Sequence, residues 1–237
     1  MVSTRSQTEG TQPSSARPTS RTGDGSGHQR KWAHTPSNLT IIWLAVSLPL
    51  VIWDTVYVFL RPHSMAGGSL QWPLWMPYEL YAKVDYIYGW PAYDSHNGFT
   101  AAQASLNVVE TVGYLAYLWI LFNHGEQEKI DGRGAVSRKS IGWLARSQTV
   151  CGQYAAWAVL ILYGSSIMTL SKTVLYWLNE AFGGFANIGH NDMYSLVVLW
   201  IIPNGAWIIV PSYMTYVSGQ EILQELTLTS GGGKKYQ

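Results

Sequence analysis

The sequence predicts an all-α integral membrane protein, a four-helix bundle preceded by a disordered N-terminal tail. Four long runs within the 237 residues contain no Asp, Glu, Lys or Arg. Charged residues make up only 12% of the chain and aromatic residues 14%, an unusual balance for a water-soluble protein. Residues 1–38 are instead rich in Ser, Thr, Gly, Arg and Pro. They carry too few large aliphatic side chains to bury a core, which predicts disorder.

The uncharged runs set the boundaries of the predicted helices. A bilayer core about 30 Å thick needs roughly 20 helical residues. The runs are apolar on most sides, which favours membrane insertion over a soluble, one-sided helical core. The predicted organisation is a tail over 1–38, a transmembrane domain over 39–220 and a second cytosolic tail over 221–237. The predicted helices lie near 39–61, 100–123, 148–178 and 193–218.

The distribution of basic residues predicts the orientation. Lys and Arg concentrate in the N-terminal tail, between the second and third helices, and near the C-terminus. By the positive-inside rule, both termini are cytosolic, which agrees with four spans. The final residues, KKYQ, are similar to the dilysine signal that returns membrane proteins to the endoplasmic reticulum, although a solvated basic tail is the alternative. The predicted location is therefore the endoplasmic reticulum membrane.

Composition also excludes some classes of function. A formal net charge of +1 argues against a nucleic-acid partner. Cys151 is the single cysteine, so it cannot form an internal disulfide. His63, His96 and His124 have no metal-ligand spacing. The partners expected are the lipid bilayer and a hydrophobic small molecule, and the sequence leaves the oligomeric state open.

Two carboxylates interrupt the apolar runs and are the leading functional candidates. Asp54 lies in the first predicted helix and Glu110 in the second. A charge in hydrocarbon costs roughly 2.5–3.5 kcal/mol on insertion scales, so such residues usually face a bundle interior and serve a function. Depth can be counted at about 1.5 Å per helical residue from the helix ends on the non-cytosolic side. On this count, the depths are about 10–21 Å for Asp54, Glu110, Asn204 and Trp207. They are predicted to converge on one ligand cavity.

Such a cavity suits proton transfer to a hydrophobic substrate. A carboxyl group in a low dielectric retains its proton and can act as a general acid toward an alkene. Aromatic faces can then stabilise the cation, and Trp53, Tyr57 and Trp207 are candidates. This chemistry requires no metal or organic cofactor. The structural alternatives are that Asp54 pairs with Arg61 and that Glu110 bonds Asn204 only to hold helices together.

Four segments follow one another along the chain: YELYAKVDYIYG, GFTAAQASLNVVET, KTVLYWLNEAFGGFANIGH and NGAW. Together they resemble the emopamil-binding protein family, also called the EXPERA domain. The resemblance covers about residues 40–220 and rests on the order and spacing of these segments. It implies a four-helix domain of the endoplasmic reticulum membrane, whose best-known member is a sterol isomerase that moves a ring double bond by protonation and deprotonation.

The resemblance also suggests roles for individual residues. Glu110 matches a family acid in the second helix, and Asn204 and Trp207 match the family's pocket Asn and Trp. Glu180 and His190 match family loop positions, although a loop histidine is usually only a polar surface residue.

The first helix departs from the family pattern. The sterol isomerase has a His and a Glu there, where this chain has Pro49 and Trp53, with Asp54 next to the latter. The substrate implied is therefore a different polycyclic or linear terpenoid, as in fungal family members that serve secondary metabolism as isomerases or meroterpenoid cyclases.

The resulting functional prediction is a membrane-embedded isomerase or cyclase for a terpenoid, meroterpenoid or sterol-like lipid. Glu110 or Asp54 delivers the proton, Asn204 orients a polar group of the substrate, and Trp207 stabilises positive charge. The alternative is a non-catalytic sterol- or lipid-binding or trafficking protein on the same scaffold. A proton-coupled carrier is a weaker alternative, because four helices without an inverted repeat are unlike most carriers.

Overall fold

The computed structural model describes residues 32–127 and 148–231. Three single turns supplement the helices: a π-helical turn at Gln71–Trp75, a 3-10 turn at Tyr86–Tyr88 and a π-helical stretch at Leu196–Ile201. The strands are β1 (Ala33–His34), β2 (Glu126–Gln127) and β3 (Gln148–Cys151). The helices are α1 (Asn38–Phe59), α2 (Pro77–Val84), α3 (Trp90–Asp94), α4 (Phe99–His124), α5 (Gln153–Phe182), α6 (Met193–Ser195) and α7 (Ile202–Gly231).

Four helices in the described part of the chain are long and apolar enough to cross a membrane. They are α1, α4, α5 and the continuous helical segment Met193–Leu228, with 22, 26, 30 and 36 residues. This confirms the predicted all-α membrane bundle. Strand is limited, within the described residues, to the three short segments above.

Helix boundaries differ from the prediction at two places. The third predicted helix begins at residue 148, but Gln148–Cys151 form β3 and α5 begins at Gln153. The last helix continues to Gly231 instead of ending near 218, because no Gly or Pro interrupts the chain between Gly219 and Gly231. Part of the predicted tail over 221–237 is thus helical, while the KKYQ end lies outside the described residues.

Polar residues face inward on the central helices and apolar residues face outward. The buried stripe of α4 includes Asn107, Glu110 and Tyr114, at helical spacings of three and four. The facing stripe of α5 includes Thr169 and Lys172. Large apolar side chains cover the outer surface of α4: Leu106, Val108, Val109, Val112, Leu115, Trp119 and Phe122. This arrangement is typical of a bundle that packs its polar groups internally and is surrounded by lipid.

A small antiparallel sheet closes one end of the bundle. β3 lies between β1 and β2, so the sheet joins the segment before α1, the end of α4 and the start of α5. His34 of β1 is buried and contacts two helices: its Nδ1 lies 2.8 Å from Glu221 of α7, and its Nε2 lies 2.9 Å from the hydroxyl of Tyr117 in α4. Residues 1–31 of the predicted N-terminal tail lie outside the described residues, but the tail's last residues include β1.

The segment between α1 and α4 packs against the other end of the bundle. The Tyr78 ring of α2 stacks on Tyr57 of α1, with centroids 3.7 Å apart and planes 9° from parallel. Arg61, just after α1, donates through Nη2 to Thr100 Oγ1 at 2.7 Å. Burial lowers the pKa of Arg61 from its ordinary value, and nearby tyrosines and Asp54 oppose that shift. These contacts place α2 beside the membrane-spanning helices, where it forms one wall of a cavity.

Candidate functional site

A cavity of about 450 Å³ lies between α1, α2, α4, α5 and α7. Its volume is within the range of pockets that hold drug-sized ligands. Most of its wall is apolar or aromatic. The non-aromatic polar side chains at its wall come from four of the spanning helices: Asp54, Thr100, Gln103, Asn107, Lys172, Thr173 and Asn204.

Asp54 lines this cavity from the C-terminal part of α1, five residues after Pro49 and five before the last helical residue, Phe59. The Tyr78 hydroxyl of α2 donates to its Oδ1 at 2.5 Å. Its Oδ2 has a weaker contact, a hydrogen bond from Asn107 Nδ2 at 3.4 Å. The hydrogen bond from Tyr78 is therefore the firmer of these two contacts. The predicted alternative, a pair with Arg61, is not a direct contact here, since the Arg61 guanidinium bonds Thr100 and backbone carbonyls.

Glu110 lies behind the cavity wall, where it forms a buried ion pair. The Lys172 ammonium donates to Glu110 Oε2 at 2.9 Å, and it also donates to Asn107 Oδ1. Thr169 Oγ1 lies 2.9 Å from the same carboxylate oxygen. Glu110 Oε1 is buried and has no hydrogen-bond partner among residues 32–127 and 148–231. The structural alternative predicted for Glu110, a bond to Asn204, is wrong in its partner: Glu110 ties α4 to α5, not to α7.

Asn204 and Trp207 line the opposite wall on α7. Asn204 Nδ2 donates to the Trp200 carbonyl at 2.8 Å and approaches the Tyr81 hydroxyl at 3.5 Å. The Trp207 ring meets Trp43 of α1 edge-on, with centroids 4.9 Å apart. The Asn204 amide is thus placed beside the Tyr81 hydroxyl, and Trp207 contributes an aromatic surface between α7 and α1.

A second buried carboxyl group lies behind the cavity. Asp85, at the end of α2, accepts hydrogen bonds from the Tyr176 hydroxyl, from Trp200 Nε1 at 2.8 Å and from the Ile87 backbone N–H at 3.0 Å. Burial raises the pKa of Asp85 to about 6, and these hydrogen bonds oppose the increase. Tyr176 lines the cavity, so its hydroxyl connects Asp85 to the cavity wall.

The structure brings together four of the eight predicted site residues and separates the other four. Asp54, Trp53, Asn204 and Trp207 all line the cavity. Glu110 lies behind its wall, as described above. The remaining three residues are considered in turn.

Tyr57, Glu180 and His190 have structural contacts outside the cavity wall. Tyr57 is buried behind the Tyr78 ring, and its hydroxyl donates to the Tyr88 carbonyl at 2.9 Å. Glu180 is buried at the end of α5 and accepts from Asn187 Nδ2 at 2.6 Å. His190 is exposed, stacks on Tyr86 and contacts the Lys83 carbonyl at 2.7 Å. These residues fix the loops at one end of the bundle.

The sequence reasoning missed Lys172, Tyr78 and Asn107 as residues of the site. The predicted third helix, over 148–178, contains Lys172 but gave it no role in the site, whereas the structure places it in α5, ten residues before Phe182 and only 8% exposed. The available signal was its spacing, because Lys172 follows Ser165 and Thr169 on one helical face. Asn107 precedes Glu110 by three residues, the same kind of signal.

The described residues contain no group of three or more His, Cys, Asp or Glu side chains arranged to hold a metal ion. Comparison with known proteins finds no matching family model, no matching curated protein and no matching solved structure. The fold and the site define a multi-pass helical membrane protein. Its cavity has a mostly apolar and aromatic wall with a smaller set of polar side chains. The resemblance to the EXPERA family stays a prediction.

Proposed function

We propose that this protein is a membrane-embedded isomerase or cyclase that moves protons on a terpenoid, meroterpenoid or sterol-like lipid. The observation that supports it most is the position of Asp54: a carboxyl group that faces a largely apolar cavity inside a membrane bundle. Its Oδ1 accepts from the Tyr78 hydroxyl at 2.5 Å, and its Oδ2 has a longer contact with Asn107 Nδ2 at 3.4 Å. A positioned acid of this kind is the minimum requirement for protonating an alkene.

In an isomerisation, Asp54 alone can both donate the proton and take one back. The O–H bond of protonated Asp54 breaks as a C–H bond forms at one alkene carbon, and the adjacent carbon becomes a cation. A neighbouring C–H bond then breaks, its electron pair forms the new double bond, and its proton returns to the Asp54 carboxylate. In a cyclisation, the electron pair of a second alkene forms a C–C bond to the cation before that proton is lost.

The surrounding residues suit a cationic intermediate. Trp53 and Trp207 present aromatic faces that attract positive charge. The positive charge of Lys172 is compensated by Glu110 at 2.9 Å. Proton delivery is assigned to Asp54 rather than to Glu110, because Glu110 is engaged by an ammonium group and does not line the cavity. Asn204 and Tyr81 are placed to orient a polar group of the substrate.

We also propose that the protein resides in the endoplasmic reticulum with both termini in the cytosol. The four candidate spans in residues 32–127 and 148–231 support this topology, because an even number of crossings returns a chain to the side on which it starts. The asymmetric distribution of basic residues supports the side chosen. The basic connection over 128–147 and the KKYQ end, on which this location rests, lie outside the described residues.

Deuterium incorporation tests the catalytic proposal. Microsomes containing the full chain are incubated in deuterated water with a panel of sterol-like and linear terpenoid alkenes. A rearranged or cyclised product carrying deuterium is expected from the native protein, and Asp54→Asn is expected to abolish it. Glu79→Gln is the matched control, since Glu79 is exposed on α2 and contacts Lys83 and Gln71 instead of the cavity.

Two outcomes would overturn the proposal. Full incorporation by the Asp54→Asn variant would remove Asp54 as the proton carrier. Tight binding of the alkenes by the native protein without any deuterium in recovered material would favour the non-catalytic lipid-binding protein over the enzyme.

A further inference from the structure

Lys172 is the feature of the cavity that proton transfer to an alkene leaves unexplained. The residue lines the cavity from inside a helix that crosses the membrane, and its side chain is only 8% exposed. A buried ammonium carries three N–H donors and is costly to desolvate unless acceptors satisfy them. A structural cross-link between α4 and α5 could be built from neutral groups, as Tyr114 and Thr169 show at 3.1 Å.

Protein acceptors account for two of the three donors. Within residues 32–127 and 148–231, the Lys172 ammonium contacts Asn107 Oδ1 and Glu110 Oε2. Both acceptors come from α4, on one side of the ammonium. Lys172 lines the cavity, so the remaining donor is available to a ligand there.

We infer that Lys172 binds a neutral oxygen atom of the ligand, such as a ketone, lactone or hydroxyl oxygen. This inference rests on the proposed function and narrows its substrate class to oxygenated terpenoids. The ligand oxygen supplies the missing acceptor. It is neutral because Glu110 already balances the ammonium charge, so a carboxylate or phosphate on the ligand would add an uncompensated negative charge beside Glu110 and Asp54.

The amide of Asn107 fixes where that oxygen lies relative to the reacting carbon. A lysine ammonium can only donate, so the Asn107 oxygen must face Lys172 and its NH₂ must face Asp54. The oxygen-binding ammonium and the proton-carrying carboxyl group therefore contact opposite ends of one side-chain amide. The double bond that accepts the proton consequently lies close to the oxygenated end of the ligand, and the hydrocarbon remainder extends along the aromatic wall near Trp53 and Trp207.

A matched pair of ligands tests this inference by binding alone. The full chain in lipid nanodiscs is titrated with 5α-cholestan-3-one and with 5α-cholestane, which share a skeleton and differ by the oxygen, and quenching of tryptophan fluorescence is followed. The native protein is expected to bind the ketone at least tenfold more tightly, the scale of a hydrogen bond to a charged group. Equal affinity for both ligands would overturn the inference.

Variants separate recognition from folding. Lys172→Met alone leaves Glu110 buried without its partner, so the double variant Lys172→Met, Glu110→Gln removes both charges together. It is expected to bind cholestane as the native protein does and to lose the ketone preference. Lys83→Met is the control, because Lys83 is exposed and pairs with Glu79 outside the cavity. A retained ketone preference in the double variant would also overturn the inference.

The binding result and the catalytic result are independent. Ketone preference without deuterium incorporation would leave the Lys172 subsite standing and overturn the enzyme. Deuterium incorporation with no ketone preference would support the enzyme and overturn the Lys172 subsite.

Discussion

Lys172 of α5 donates to Glu110 of α4 at 2.9 Å, and the two side chains are only 8% and 3% exposed. The pair joins two membrane-spanning helices within their apolar segments. Because the two charges cancel, an ammonium group can lie beside a largely apolar cavity without leaving a net charge inside the bundle. Because the pair engages Glu110, the proposed proton transfer is assigned to Asp54, which lines the cavity.

Breaking the ion pair on one side is expected to be more harmful than removing it entirely. Lys172→Met leaves a buried carboxylate without its partner, which costs about 3–5 kcal/mol. The double variant Lys172→Met, Glu110→Gln is expected to recover most of that loss. Thermal unfolding of the purified protein in detergent measures both. A double variant as unstable as the single one would show that the two residues are not coupled.

Tyr78→Phe is expected to reduce proton transfer while leaving the fold in place. The change removes the hydroxyl that holds Asp54 Oδ1 at 2.5 Å but keeps the ring that stacks on Tyr57. Loss of one hydrogen bond to a buried charged group costs about 1.5–3 kcal/mol, which corresponds to a rate about 10- to 100-fold lower if it is felt in the transition state.

The same deuterium assay measures the effect of Tyr78→Phe. Tyr194→Phe serves as its control, because Tyr194 is 74% exposed and is not part of the cavity wall. Unchanged incorporation by Tyr78→Phe would mean that the hydroxyl does not position the acid.

Asp85 is expected to make the protein less stable as the pH rises from about 4 to about 6. Burial raises its pKa in the folded protein to about 6 from an ordinary value of 3.8, so the folded state binds the proton more tightly. The resulting stability is present below pH 4 and lost as the pH rises through 6, by at most about 3 kcal/mol.

Melting temperatures from pH 4.5 to 7 in detergent, with Asp85→Asn beside the native protein, measure this contribution. The variant is expected to have a flatter profile over that range. Asp94→Asn, at an exposed position of α3, is expected to keep the native slope. Parallel profiles for the native protein and Asp85→Asn would contradict the assignment.

The close approach of α4 and α5 is expected to depend on Gly113. A Cβ atom at this position would lie 2.3 Å from Ser165 Oγ, so the serine or the helix must move. Gly113→Ala is therefore expected to destabilise the protein by about 1–3 kcal/mol, as overpacking usually does. Gly164→Ala is the matched control on the facing helix, since nothing lies within 4 Å of its added Cβ. Equal melting temperatures for the two variants would argue against tight packing here.

Helix number and type could be predicted because uncharged runs long enough to span a bilayer admit few alternatives. The depth of Asp54 and Asn204 could also be estimated, since helical rise converts sequence position into height. The direction in which each side chain points was harder to predict. Glu110 points to Lys172 instead of lining the cavity, and a one-dimensional pattern does not contain the position of a side chain on another helix.

The partners of Asp54 were missed for a related reason. Tyr78 belongs to α2, whose Glu79 and Lys83 mark it in the sequence as an ordinary polar connection. Its place against α1 depends on packing between distant parts of the chain, such as the stacking of Tyr78 on Tyr57. Lys172 lay inside the predicted third helix, over 148–178, but the sequence does not show that it faces Asn107 and Glu110 of α4.

The contacts of His34 have a practical consequence for anyone who shortens this chain. Its imidazole bridges Glu221 and Tyr117, and Trp32 Nε1 donates to the same glutamate at 3.1 Å. Recombinant versions trimmed to the start of the first span would lose these contacts. Glu221 of the last span would then lack its hydrogen bonds with Trp32 and His34. Versions that retain everything from Trp32 onward keep the first and last spans tied together.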